Sequence, residues 1–272
     1  MSISPYLPAA RRLFAAVALA LLAACQTAPQ SPPVAPSTGA PASAIFIGNS
    51  FFYFNNGITS NLAPMVREAS PATPFRSTMV TISGSGFDWH DVDSYFRPNA
   101  IGTYSFDANN NVVFNKLDRL FDVAILMDCS QCPIHPQLKG VFRDYAKKNA
   151  DSVRTYGTRP VFFMSWAYAD KPEMTAQLEQ AYTAAGKEHG ALVIPAGLAF
   201  ARSVAQRPAL NLYAPDKRHP SVAGTYLAAC TTYASLFGKS PAGLKYNAGL
   251  DPDTAAFLQV IAWETVQAYG RI

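Results

Sequence analysis

Charged residues are scarce in this 272-residue chain, only 15% of it, and no run of lysine or arginine interleaves with aromatics. That excludes the electrostatic footprint of a nucleic-acid binder. The formal charge of +4 falls by two if Arg11 and Arg12 leave with the amino-terminal segment. The apolar stretch Leu13 to Ala24 is short of the ~20 residues a membrane-spanning helix needs. No Gly-x-Ser-x-Gly elbow is present, which argues against an α/β-hydrolase. Gly238-Lys239-Ser240 is no phosphate-binding loop, because the upstream glycine is replaced by Tyr233. The chain carries a single C-x-x-C, no internal repeat and no second composition shift. What remains is 49% hydrophobic, enough for one fairly large soluble domain with a substantial core.

The amino terminus reads as a targeting segment. Arg11-Arg12 supplies the positive region and Leu13 to Ala24 the apolar one. Leu22-Ala23-Ala24-Cys25 resembles a bacterial lipobox, so Cys25 is expected to carry lipid after removal of residues 1–24. Gln26 after the cysteine is similar to lipoproteins sorted to an outer membrane, which implies an envelope location facing the periplasm. Residues 25–43 are rich in Pro, Ala, Ser and Thr without apolar period, as a semi-extended linker would be. A folded domain is expected over residues 44–272.

From Ala44 the chain alternates strand-like and helix-like pieces. Ile45 to Ile47, Ser77 to Ile82, Phe121 to Met127, Pro160 to Trp166 and Ala191 to Ile194 are runs of strand formers. Helical spacing covers Gly57 to Ala69, Gln137 to Tyr156, Pro172 to His189, Gly197 to Gln206, Ser221 to Phe237 and Asp253 to Tyr269. Strands spaced by helices predict a mostly parallel five-stranded sheet with right-handed crossovers and both faces covered. Arg97 to Asn115 has little period and reads as an excursion containing a short hairpin.

Two stretches carry chemistry. Gly48-Asn49 breaks the first strand and delivers Ser50 just past its carboxyl end, where open α/β sheets place ligands. Near the other end, Asp216-Lys217-Arg218-His219-Pro220 sets a carboxylate three residues before a histidine. A tight turn there lets the carboxylate hold Nδ1–H and leaves Nε2 free to take a hydroxyl proton. Pro220 is expected to start the following helix. Either stretch alone could be an ordinary loop, and the chain has four histidines.

Together, over most of Ala44 to Leu236, these pieces resemble the SGNH (GDSL-type) hydrolase family. Gly48-Asn49-Ser50 resembles its first block, with Asn49 where Asp is usual. Ser83-Gly84-Ser85-Gly86 resembles the second, and Asp216-x-x-His219-Pro220 the fifth. Ile47 to Phe51 and His219-Pro220-Ser221-x-x-Gly224-x-Tyr226-Leu227-Ala228 look like a little-characterised bacterial subgroup. The resemblance implies a three-layer α/β/α, flavodoxin-like fold, a Ser50–His219–Asp216 triad attacking ester carbonyls, and no metal or organic cofactor. It also implies an oxyanion hole built from Ser50, Gly84 and an amide of the third block.

That third block usually reads Gly-x-Asn-Asp, whereas here the middle strand leads into Asp128-Cys129-Ser130-Gln131-Cys132. Gln131 carries the same amide donor on a longer arm, with Ser130 second. Cys129-x-x-Cys132 also admits thiol redox chemistry or half a zinc site, with His135 near. With Cys25 lipidated, Cys129, Cys132 and Cys230 leave an odd thiol. Asn49, Gly86, Trp89, Ser130 and Trp166 are the candidates for the substrate cleft, with His90 and Tyr168 close to the same strand ends.

Two functions follow. One is a tethered, monomeric serine esterase acting on a small-molecule or glycan ester, acyl transfer needing the same residues. The other is a catalytically weak or inactive domain of the same fold that binds glycan or envelope polymer. The anchor is testable by itself: Cys25→Ser should leave an unlipidated precursor and abolish labelling by a fatty-acid probe. Continued labelling of that variant would dismiss the lipid site.

Overall fold

The computed structural model describes residues 39–72 and 74–270. The expected leader, Cys25 and most of the linker lie outside the described residues. Backbone contacts begin slightly before Ala44, because the Asp122 carboxylate accepts from the Ala42 and Ser43 amides.

Seven strands are described: β1 (Ser43–Gly48), β2 (Arg76–Thr81), β3 (Tyr104–Phe106), β4 (Val112–Phe114), β5 (Val123–Leu126), β6 (Arg159–Phe163) and β7 (Leu192–Ile194). Five of them form one sheet in the order β2-β1-β5-β6-β7, and every pairing in it is parallel. The register Ala44↔Val123 to Ile47↔Leu126 sets β1 beside β5. Both strands are buried along their whole length, which is why they read as unbroken apolar runs rather than alternating ones.

Among the described residues the α-helices are α1 (Ser50–Tyr53), α2 (Gly57–Ala69), α3 (Lys139–Thr155), α4 (Met174–His189), α5 (Ala196–Gln206), α6 (Val222–Phe237) and α7 (Pro252–Tyr269). The crossover from β1 to β2 runs along the sheet in the opposite direction to those from β5 to β6 and β7. Right-handed connections therefore place α2 on one face and α3 with α4 on the other. The last two helices, α6 and α7, join α2. The three-layer α/β/α expectation holds.

Boundaries differ from the periodicity by one to three residues, and three differences are physical. The one-turn helix α1 is too short to show a period. Pro220 does not open α6: Ser221 caps that helix, its hydroxyl accepting from Gly224 N–H, while Pro220 pairs with Tyr213 in an isolated bridge. Two 3₁₀ turns without apolar period, Phe87–Trp89 and Val92–Phe96, lie just before the excursion, which itself holds the antiparallel hairpin β3–β4. Asp107 closes that hairpin by accepting from Asn109 and Asn111 amides.

Gly224 shows how tightly α6 is set against the loop before it. A Cβ there would run into the Leu212 carbonyl and lie 3.0 Å from the Phe200 ring and 3.1 Å from Pro220. Alanine would gain ~1 kcal/mol of helix propensity, but overpacking costs ~1–3 kcal/mol and the obstacle is backbone. Gly224→Ala should therefore lower Tm by several degrees in thermal unfolding followed by circular dichroism. An unchanged or higher Tm would show that the contact yields.

Candidate active site

Strand order reverses between β1 and β5, since β2 lies outside β1 while β6 and β7 lie beyond β5. A crevice opens at the carboxyl ends of such a pair. The loop after β1 carries Ser50 and the loop after β5 carries Asp128.

Asn49, in an extended conformation, caps α1. Its side-chain oxygen accepts from Phe51 N–H at 3.2 Å, and its amide donates to the Ser85 and Asp128 carbonyls at 3.0 and 3.1 Å. The side chain, only 4% exposed, is spent on backbone and does not face a cleft as expected. An ionised Asp here would meet two carbonyl oxygens with no proton to offer, which accounts for the amide. Ser50, next along, stands at the first helical position, where a backbone N–H has no acceptor within the helix.

The second loop is laced to the same turn. Ile82 N–H and the Ser85 hydroxyl both donate to the Gly48 carbonyl, at 3.0 and 3.1 Å. His90 Nε2 reaches that carbonyl at 3.1 Å and the Ser85 hydroxyl at 3.0 Å, while its Nδ1 faces the Tyr95 hydroxyl. Burial lowers the His90 pKa, which favours the neutral ring. His90 is thus a brace under the loop rather than a cleft wall. Gly84 has a φ of +71°, and a Cβ built on it would meet nothing within 4 Å, so its surroundings are open. Gly86 is crowded: a Cβ would come 2.8 Å from Asp88 Oδ1 and 3.0 Å from Asp128 Oδ1. Its missing side chain makes room for two carboxyl groups.

Asp128 belongs to the third loop. Its Oδ1 accepts from Phe87 N–H at 2.7 Å and Cys129 N–H at 2.8 Å, tying the second loop to the third. Burial, with Asp88 adding repulsion, raises its pKa to about 7 despite those two bonds. Cys129 and Cys132 are joined in a disulfide, so neither sulfur is a thiolate ligand. Among the described residues the group best spaced for a metal is Asp128, Cys129 and Cys132, and the disulfide removes two of its three donors. Cys230 is the odd thiol, buried in α6 with its pKa pushed up. Gln131 is half-buried beside the disulfide, and the Ser130 hydroxyl pairs with that of Tyr168 at 2.7 Å.

The last loop brings the distant histidine in. His219 Nε2 lies 2.8 Å from Ser50 Oγ, and its Nδ1 lies 2.5 Å from Asp216 Oδ2. Asp216 Oδ1 accepts from the Arg218 and His219 amides, which closes the turn. The histidine bond and those amides hold the Asp216 pKa down at about 2, so it stays a carboxylate at neutral pH.

Aromatic rings seat the imidazole. Phe54 stacks on it at 3.9 Å between centroids, and Phe51 meets its edge at 5.4 Å. Trp166, expected at the cleft, is instead fully buried between Phe51 and Phe200, at 4.7 and 4.2 Å. Its indole N–H donates to the Arg218 carbonyl at 2.9 Å, fixing the residue before the histidine. Asn55 donates to the Pro220 carbonyl from the other side. Ser50, Asp216 and His219 are thus in hydrogen-bonding line, and Trp89 stands exposed beside Gly84 and Asp128. The pattern Phe51-x-x-Phe54-Asn55 was the available hint of these seats, but nothing local said which ring it served.

No sequence-family model matches this chain, and no curated protein matches it. Solved structures do. A DUF4886 family protein from Bacteroides uniformis superposes with a TM-score of 0.58 at 17% identity, over 83% of this chain and 94% of that one. A candidate GDSL-like lipase from Parabacteroides merdae gives 0.54 at 14% identity, covering 75% and 99%. A candidate SGNH hydrolase from Slackia heliotrinireducens gives 0.53 at 20% identity, covering 73% and 99%. At these identities the likeness is one of fold: the chain has the α/β architecture of SGNH-type proteins.

The buried Asp128 carboxyl predicts a stability signature. Its folded pKa of about 7 lies above the unfolded 3.8, so between those values the native state binds more protons and stability falls as pH rises. The penalty is complete above about pH 7 and absent below the unfolded value. Asp128→Asn keeps the accepting oxygen without the charge. It should be more stable than wild type at pH 8 by on the order of 2–4 kcal/mol, with the advantage vanishing near pH 4. Urea unfolding at the two pH values measures this, and an advantage independent of pH would refute the burial argument.

Proposed function

We propose that this protein is a serine ester hydrolase of the SGNH type, held at the cell envelope through lipid on Cys25. The observation that carries the reading is the unbroken line Ser50 Oγ to His219 Nε2, then Nδ1 to Asp216. In this reading, Ser50 Oγ attacks the ester carbonyl as His219 Nε2 takes its proton. Asp216 keeps Nδ1–H in place and stabilises the imidazolium. The carbonyl oxygen becomes an oxyanion that receives hydrogen bonds from Ser50 N–H, Gly84 N–H and the Gln131 amide. The imidazolium then gives its proton to the departing alkoxide, leaving an acyl group on Ser50. Water, deprotonated by the same histidine, releases the acid and restores Ser50.

Support for Gly84 comes from its positive φ and open surroundings, and for Gln131 from its place on the loop after β5. The chemistry needs no metal: the nucleophile, base and oxyanion donors are all side-chain or backbone groups of this chain. The weak-binder alternative retains one specific support, the absence of the third-block Asn.

On short p-nitrophenyl esters, Ser50→Ala and His219→Ala should each lower kcat by ~10⁴ or more, and the double variant should be scarcely worse. Asp216→Asn should cost less than either. A folded Ser50→Ala protein that hydrolyses esters as fast as wild type would overturn the mechanism.

A further inference from the structure

A cavity of about 160 Å³ opens beside Gly84; Asp88, Trp89 and Asp128 form one part of its wall, and Leu138, Val141 and the disulfide form the rest. Trp89 is 60% exposed, unusual for so large an apolar ring at the edge of a cavity. It is not loosely held. It closes the 3₁₀ turn Phe87–Trp89, whose first amide is pinned by Asp128 and whose Phe87 ring is buried against Phe142. A lone exposed tryptophan needs no explanation; this one shares its cavity with a buried carboxyl. Asp128 is only 2% exposed, its Oδ1 is taken by two amides, and its Oδ2 has no hydrogen-bond partner among the described residues. Asp88 Oδ1 lies across Gly86 from it.

We propose that this cavity is the subsite for the alcohol half of the substrate and that it takes a sugar ring, the Trp89 indole covering the ring's C–H face while Asp88 and Asp128 bond its hydroxyls. The proposal rests on the ester-hydrolase reading for its placement beside Gly84. The chemistry of the walls selects among ligands. An acyl chain would leave the Asp128 oxygen buried without a partner. An anionic ligand would face two carboxyl groups. A polyol ring offers what the site lacks, a flat apolar face and hydroxyl donors at its rim. The volume suits one ring with the rest of a glycan extending past Trp89 into solvent.

Binding separates this proposal from catalysis. Saturation-transfer NMR on the full chain carrying Ser50→Ala, with xylopentaose and chitopentaose as probes, should show transfer to at least one oligosaccharide. Adding Trp89→Ala should abolish it. With wild-type serine, the ratio of kcat/KM on acetylated xylopentaose or chitopentaose to that on p-nitrophenyl acetate should fall about tenfold or more in Trp89→Ala, through KM. Trp89→Phe should restore much of it. Saturation transfer in the absence of any ester hydrolysis would refute the hydrolase reading and leave the subsite standing. Hydrolysis of p-nitrophenyl acetate with no saturation transfer to either oligosaccharide would overturn the subsite alone. So would a wild-type preference for acetylcholine, which would make the indole and carboxyl groups a cation site.

Discussion

The site depends on one side-chain amide. Asn49 sits at the reversal of strand order and bonds three segments at once: its own helix, the Ser85 loop and the Asp128 loop. Parallel strands end at similar heights, so the loops beyond them have no hydrogen-bonding ladder of their own. A buried amide with two donors and an acceptor supplies that connection, and each bond is stronger for being away from water. Ser50 is adjacent to this knot. The serine and the glycine proposed to serve the oxyanion are therefore positioned relative to each other by a group that touches neither reacting atom.

The histidine side is organised differently. Its loop follows α5 and a long connection and reaches the serine from a separate part of the chain. Stacking does the work there: Phe200, Trp166 and Phe51 form a continuous column, and Phe54 lies flat on the imidazole. Phe51 and Phe54 come from the serine's own helical turn and its exit, so base and nucleophile share supports. Rings in van der Waals contact fix direction as well as distance, and the indole N–H adds a bond to Arg218. A small displacement of either partner would disturb both, and catalytic geometry is sensitive at that scale.

Asp128 is the counterpoint. Its burial costs stability at neutral pH, yet it holds the second and third loops together through two backbone amides. Local rules of burial are commonly broken at functional sites and offset elsewhere in the fold. The disulfide Cys129–Cys132, which starts at the next residue, closes a tight ring in the same loop.

By itself the sequence determined the alternation of buried strands and amphipathic helices, because unbroken apolar runs and helical spacing report burial locally. It also determined the Asp216–His219 turn, whose partners are three residues apart, and the position of Ser50 at a strand end. The sheet order, and with it the crevice, required the tertiary structure, since pairing partners such as Ala44 and Val123 are far apart in the chain. The same is true of the seats. Asn49 and Trp166 look like cleft residues in one dimension, but both are buried and committed to backbone. Cys129-x-x-Cys132 admits metal or redox chemistry in one dimension, but its sulfurs are bonded to each other, and Asp128 beside them accepts from Phe87 N–H on another loop. A side chain's hydrogen-bond partners depend on which loops meet in space, and that is decided by packing the whole sheet, which no window of sequence contains.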